Sequence, residues 1–314
     1  MSPLLTGLTG AIPALVTPFR PGDAALDEAA LARLAERVVN RGASAVVACG
    51  STGEAPALSP HEHARVIKVV AEAVGHRVPV IAGVGAPCTE TAAALAQAAS
   101  LVGAAALLVS APPYVKPTQE GLHAHVRAVS AAGGLPLMLY DVPSRAAAAF
   151  TDETIERLYT AGLIQALKDA TGDLGRPLRL RGRCGQGLAQ FSGDDATALA
   201  HLAMGGAGCV SVTANVTPTL CVALQNAWQA RDIDRATDIA RCLAPLDAAL
   251  FHETNPIPVK AALGLLRLCE PTPRLPLTNA AGATRATLAR VLSILMPYED
   301  IGTGTPRRLR RKAA

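Results

Sequence analysis

The feature that most constrains this chain is a regular alternation. Short apolar runs recur at residues 11–16, 45–48, 78–82, 105–109, 136–140, 163–167, 189–191 and 209–212. Longer Ala-rich stretches of helical period lie between them, among them 26–40, 60–74 and 89–101. Ser59-Pro60 followed by Glu62 marks one helix start, with a hydroxyl N-cap and a proline at the first helical position. Strands alternating with helices imply a parallel sheet. Eight such units within about 230 residues imply an α/β fold closed as a (β/α)8 TIM barrel rather than an open doubly wound sheet. No dinucleotide-type glycine fingerprint follows the first run. Gly83-x-Gly85, after the third, lacks the third glycine and reads as a tight strand-to-helix turn.

Past Asn226 the alternation stops. Residues from about 230 to 298 carry helical patterns only, broken at Asn255-Pro256-Ile257-Pro258 and at Pro271-x-Pro273. The expected organisation is a barrel over 1–230, a helical appendage over 231–300 and a basic, disordered tail over 301–314. The formal charge of +4 belongs to that tail: removing the five charges of Arg307, Arg308, Arg310, Arg311 and Lys312 leaves about −1 for the body. The body therefore lacks the basic surface of a nucleic-acid-binding protein. Apolar runs fall short of the roughly 18 residues a membrane span needs, and the N-terminus does not read as a secretory signal. The seven cysteines have wide spacings and no C-x-x-C, which argues against disulfides and zinc and for buried thiols in a reducing, cytoplasmic setting.

Barrel enzymes build their sites where the strands end. Those ends carry Gly50-Ser51-Thr52-Gly53-Glu54, Pro112-Pro113-Tyr114, Tyr140-Asp141-Val142-Pro143-Ser144-Arg145, Lys168-Asp169, Ser192-Gly193-Asp194-Asp195 and Ser211-Val212-Thr213. Lys168 closes an otherwise apolar strand, where an ammonium is costly unless used or neutralised. Burial favours the neutral amine that a Schiff-base nucleophile requires. The competing reading pairs it with Asp169 or Asp195. Tyr140, Ser51 and Tyr114 offer hydroxyls that both donate and accept, as a proton relay needs. The alternative for each tyrosine is an interior ring with a satisfied hydroxyl. The Ser51-Thr52-Gly53 turn suits a carboxylate. Arg145 suits a second one, held in bidentate fashion, or else a surface salt bridge.

Several motifs stand in order: GSTGE at 50–54, YVKPTQEG at 114–121, YDVPSR at 140–145, KDATGD at 168–173, SGDDA at 192–196, GCVSVTANV at 208–216 and NPIPVK at 255–260. Together they resemble the pyruvate-dependent class I aldolases, the family of dihydrodipicolinate synthase and N-acetylneuraminate lyase, with the synthase branch nearest. The likeness runs from about Thr6 to Arg290. It implies that Lys168 forms an imine with pyruvate, that Tyr140 relays protons, and that Ser51 links Tyr140 to a Tyr114 reaching in from a neighbouring subunit. It further implies that Thr52 binds the pyruvate carboxylate, that Arg145 binds the carboxylate of aspartate semialdehyde, and that Gly193 and the Val210 carbonyl line the pocket. The implied reaction condenses pyruvate with aspartate semialdehyde to 4-hydroxy-tetrahydrodipicolinate, in lysine and diaminopimelate biosynthesis. The resemblance implies no metal or organic cofactor and a homotetramer, or at least a dimer.

The chain departs from the synthase pattern at several places. Ser51 stands for a usual threonine, Asp141 for asparagine and Ala146-Ala147 for Thr-Gly. Ser51 tilts towards the neuraminate lyases, whereas Arg145 answers a second substrate with a free carboxylate. A sister aldolase of a 2-keto-3-deoxy sugar acid, sialic acid or an aromatic hydroxy-keto acid is the alternative activity. A barrel that has lost catalysis is the alternative of another class, opposed by Lys168, Tyr140 and Tyr114. Pro60, Pro87, Thr91 and Pro113 replace groups of the family's lysine-regulation site, so lysine insensitivity is expected. His61-x-His63 and His123-x-His125 have the wrong helical spacing for metal ligands and are expected on solvated or interface faces. Asp194-Asp195 is expected to be a helix N-terminus, and NPIPVK a helix start that packs the appendage.

Overall fold

The computed structural model describes residues 4–299. Eight parallel strands pair in chain order, with β8 returning to β1. They are β1 (Gly10–Pro13), β2 (Val46–Ala48), β3 (Val80–Gly83), β4 (Ala106–Ser110), β5 (Leu137–Asp141), β6 (Ala166–Asp169), β7 (Ala189–Ser192) and β8 (Gly208–Ser211). A parallel bridge between Ala14 and Val47 brings β1 against β2, with the Leu15 N–H donating to the Val47 carbonyl at 2.9 Å. That bridge closes the ring, so the expected barrel is present. Each expected strand overlaps an observed one. The sixth starts three residues later than expected, because Leu163 still closes the preceding helix, its N–H donating to the Leu158 carbonyl.

The two-residue period of a strand decides which side chains meet inside the barrel. Ile12, Ala45, Val47, Ile81, Leu108, Met138, Ala166, Phe191 and Val210 pack with one another in the interior. Their neighbours Val46, Ala82, Leu107, Leu137, Leu139 and Leu167 join a second cluster against the surrounding helices. Tyr140 follows Met138 into the interior. Lys168, two residues after Ala166, is in register with Tyr140 on the neighbouring strand.

Local signals account for the helices. Pro60–Val74 begins with a reciprocal capping box: the Glu62 N–H donates to Ser59 Oγ at 3.2 Å, and the Ser59 N–H to Glu62 Oε2 at 2.9 Å. After β8 the described residues form only helices, Pro218–Gln229, Ile233–Ala249, Ile257–Leu265 and Gly282–Glu299, besides one short 3-10 turn. Glu299 ties the last helix to the barrel by accepting from the N–H groups of Thr219 and Leu220 at 2.9 and 3.1 Å, at a helix N-terminus that favours a carboxylate. The basic run at 307–312 lies outside the described residues.

Two expectations need correction. His63 and His125 are buried rather than solvated. His63 Nε2 contacts the Gly83 carbonyl at 2.7 Å, and His125 Nδ1 the Thr89 hydroxyl at 3.0 Å. Residues two apart on a helix point to different faces, so on an amphipathic helix one member of each pair turns inward. Burial pushes both imidazoles below the usual histidine range. Nor does Asp195 start a helix. Its carboxylate turns to the end of β8, where the Ser211 hydroxyl and the N–H groups of Val212 and Thr213 donate to it. All seven cysteines are free. Cys88 is exposed, whereas Cys49, Cys184, Cys209 and Cys221 are buried. Among the described residues no helix is long and apolar enough to cross a membrane.

Candidate active site

Lys168 and Tyr140 meet inside the barrel at the C-terminal ends of β6 and β5. Lys168 is 6% exposed and Tyr140 9%, and the Lys168 Nζ stands 4.2 Å from the Tyr140 ring centroid. Among the described residues no carboxylate lies within ion-pair distance of Lys168. Asp169, on the opposite face of β6, accepts from the N–H and hydroxyl of Thr171 and from Arg176. Asp195 is occupied at β8. The paired reading of Lys168 therefore fails, leaving a buried amine against a phenol.

Gly193, at the end of β7, keeps one side of that amine clear. A Cβ there would stand 3.2 Å from Lys168 Cε and 3.0 Å from the Asp169 carbonyl oxygen, so any side chain would crowd the lysine. Val210 lies in the barrel interior on β8, two strands away from β6.

The Ser51-Thr52-Gly53 turn follows β2. The Thr17 hydroxyl holds it by donating to the Gly53 carbonyl at 2.7 Å. Thr52 is buried, and its Oγ1 accepts from the Asn255 side-chain amide at 2.9 Å. With that acceptor role filled, the hydroxyl proton is free to donate to an anion. Arg145 donates to the Asn255 backbone carbonyl at 3.0 Å. Asn255 therefore bridges Thr52, in the turn after β2, and Arg145, in the segment after β5. By sequence alone this segment reads only as a helix start.

A cavity of about 390 Å³ opens above β2 to β5. Ser51, Ser110, Tyr140, Arg145 and Asn255 line it, roofed by residues 274–277. Lys168, Thr52, Gly193 and Val210 lie outside its lining, deeper or further round the barrel. Tyr114 is not brought to the site of its own chain: it is 91% exposed and absent from the cavity wall. Its φ of +76° is a conformation bulky residues rarely adopt. Cys49 (φ +55°), Glu54 (φ +53°) and Ala147 (φ +53°) share that left-handed region in the segments following β2 and β5.

Glu54 closes the turn in a buried ion pair that sequence reading missed. Its Oε1 is 2.6 Å from the Nζ of Lys260, which is fully buried, and its Oε2 accepts from the Arg274 N–H at 2.8 Å. Lys260 Nζ and the Arg274 guanidinium each lie 4.2 Å from the Phe19 ring centroid. The catalytic-side turn is thus pinned to the C-terminal helices. Among the described residues no cluster of three or more potential ligands suits a metal ion.

Residues 7–295 match the model of the dihydrodipicolinate synthetase family. Among curated relatives, the 4-hydroxy-tetrahydrodipicolinate synthase of Acidiphilium cryptum is 45% identical over 284 residues, covering 90% of this chain and 97% of that protein. The enzyme of the same name from Rhodospirillum centenum is 46% identical over 283 residues, with the same coverage. Among solved structures, dihydrodipicolinate synthase from Aquifex aeolicus superposes with a TM-score of 0.88 at 38% identity, covering 91% of this chain and 97% of that one. The chloride-inhibited enzyme from Acinetobacter baumannii, complexed with pyruvate, gives 0.88 at 40% identity, covering 91% and 98%.

Proposed function

This chain belongs to the dihydrodipicolinate synthetase family, and from that premise we propose that it condenses pyruvate with aspartate semialdehyde through an imine on Lys168. The observation that carries the proposal is the buried Lys168 amine against the Tyr140 ring, with no carboxylate partner among the described residues.

In this reading the Lys168 amine adds to the pyruvate carbonyl, and the carbinolamine loses water to give the imine. Tyr140 passes the protons that this step moves, through Ser51 to the Tyr114 of a neighbouring copy. The imine nitrogen, once protonated, draws electrons from the former methyl group. That carbon loses a proton and attacks the aldehyde. Thr52 holds the pyruvate carboxylate with the hydroxyl proton left free by Asn255. Arg145, steadied by the Asn255 carbonyl, receives the carboxylate of the second substrate. The lysine imine is itself the electron sink, so the reading calls for no metal or organic cofactor. Tyr114, lying far out of its own site, requires at least a dimer, and a homotetramer is the assembly we favour. We place the enzyme in the cytoplasm, without nucleic-acid or membrane partners, and insensitive to lysine. Half-inhibition at submillimolar lysine would contradict that last point.

The sugar-acid and aromatic alternatives draw no support from the comparisons. The test is turnover of pyruvate with aspartate semialdehyde, followed by coupling to a reductase. Arg145→Ala should raise KM for the aldehyde far more than for pyruvate. Robust turnover with an uncharged aldehyde, unaffected by Arg145→Ala, would point to a sister aldolase.

A further inference from the structure

Behind Lys168 and Tyr140, on the outer face of the barrel, stands one buried arginine. Tyr140 pairs in register with Lys168, and the next residues, Asp141 and Asp169, pair in register too. Side chains alternate along a strand, so the first pair faces the site and the second faces the helices. Arg176, 4% exposed at the start of helix Arg176–Cys184, spans that second pair. Its Nη1 lies 2.7 Å from Asp141 Oδ2 and 3.5 Å from Asp169 Oδ2. Its Nε donates to Asp152 Oδ1 at 2.9 Å, and its Nη2 to the Phe150 carbonyl at 2.6 Å. The Phe150 N–H returns to Asp141 Oδ1 at 3.3 Å.

We propose that Arg176 is a positioning residue of the imine chemistry, a strut that clamps the ends of β5 and β6 from behind and balances their two carboxylates. The proposal rests on the reading of Lys168 as the imine-forming lysine. A planar guanidinium with several fixed donors can satisfy two carboxylates, a third from Asp152 and a carbonyl at once, which an ammonium cannot. The strut acts on geometry and on charge. Geometrically, it fixes the offset of two neighbouring strand ends and so the distance from amine to phenol. Electrostatically, it offsets the negative charge of Asp141 and Asp169 on the far face of the two strand ends that carry the lysine and the tyrosine. Burial pushes Asp141 above the usual carboxylate range, and Arg176 opposes that push. The groups bearing on Lys168 are Tyr140 from β5 inside, and Asp141, Asp169 and Arg176, with Cys209 from β8, on the outer face. Beyond them, His201 acts on Asp169, Asp195 on Cys209, and Arg179 on Asp152.

The two roles give a signature that a merely structural residue lacks. Arg176→Gln removes a positive charge, whereas Asp141→Asn removes a negative one and keeps an acceptor for the guanidinium. Imine formation, measured by borohydride trapping of pyruvate against pH, should therefore shift in opposite directions. The acid limb should move up in Arg176→Gln and down in Asp141→Asn. Each shift should be about half to one pH unit, the order expected when a single charge on the far face of the neighbouring strands is removed. Arg176→Gln should also slow trapping at least tenfold at neutral pH while leaving KM for the aldehyde nearly unchanged, and Arg176→Lys should restore only part of the rate. If Arg176→Gln does not fold, Asp141→Asn decides through the sign of its shift. Folded variants whose profiles overlay the parent, or move the same way, would overturn the strut. Failure of the unmodified protein to trap pyruvate would instead overturn the imine reading.

Discussion

The Glu54–Lys260 pair gives the sharpest prediction about stability. Lys260→Met keeps most of the side-chain volume, so no large cavity opens. It does remove the only ammonium among the described residues within ion-pair distance of Glu54, at 2.6 Å, where the two side chains are 2% and 0% exposed. Glu54 would stay buried with its charge held by little more than the Arg274 N–H. Removing one partner from a buried ion pair typically costs about 3–5 kcal/mol. At about 2–4 °C per kcal/mol for a large domain, the thermal midpoint should fall by roughly 6–20 °C. Adding Glu54→Gln removes the stranded charge, so the double variant should recover about 1–3 kcal/mol relative to the sum of the singles. Thermal unfolding followed by circular dichroism at neutral pH measures all four proteins. The 50–54 turn carries Thr52, so KM for pyruvate should rise alongside. A Lys260→Met protein melting within a degree of the parent, or strict additivity in the double variant, would refute the reasoning.

Other outcomes follow from the same geometry. Burial, reinforced by Asp195, pushes Asp247 from 3.8 up to about 7. Below 3.8 it is neutral in both folded and unfolded chains, and above about 7 it is ionised in both, so its destabilisation grows across that window and persists above it. Asp247→Asn keeps an acceptor for the Thr213 hydroxyl and should stabilise more at pH 8 than at pH 5, by about 1–3 kcal/mol; equal effects at the two pH values would contradict this. Ala147 sits at φ +53°, where a Cβ is strained. Ala147→Gly should raise stability by about 0.5–1 kcal/mol in urea titrations, and a lower midpoint would count against the strain. Tyr114→Phe should fold normally and lose about 10²–10⁴-fold in rate. Mixing it with Lys168→Ala subunits should regenerate activity, because one site would then hold both residues; mixtures no better than their parts would remove the shared-site reading.

How much of this was legible depends on how local each signal is. The barrel was, because each strand and helix announces itself within ten or fifteen residues. The burial of Lys168 at a strand end was, because one ammonium ends an otherwise apolar strand. Ser59 and Glu62 were, because a capping box needs only four residues. The links that organise the mouth of the site were not. Asn255 meets Thr52 across 203 positions and Lys260 meets Glu54 across 206, and nothing near either residue marks its partner. Asp195 misled because an acidic pair before an apolar segment is a common helix-start pattern, while its real partners are backbone N–H groups of the next strand end. For His63 and His125 the signal was present: residues two apart on an amphipathic helix face different ways, so one member of each pair turns into the core. Arg176 was hidden among charged neighbours in a helix whose other arginines are much more exposed.

The central claim is that Lys168 carries the imine. The direct measurement is incubation with pyruvate and borohydride, followed by peptide mass spectrometry. The account predicts one reduced pyruvate adduct per chain, on the peptide containing Lys168, abolished by Lys168→Ala and retained in Arg145→Ala. An adduct on Lys260 or another lysine, or none in a protein that still turns over pyruvate and aspartate semialdehyde, would contradict it.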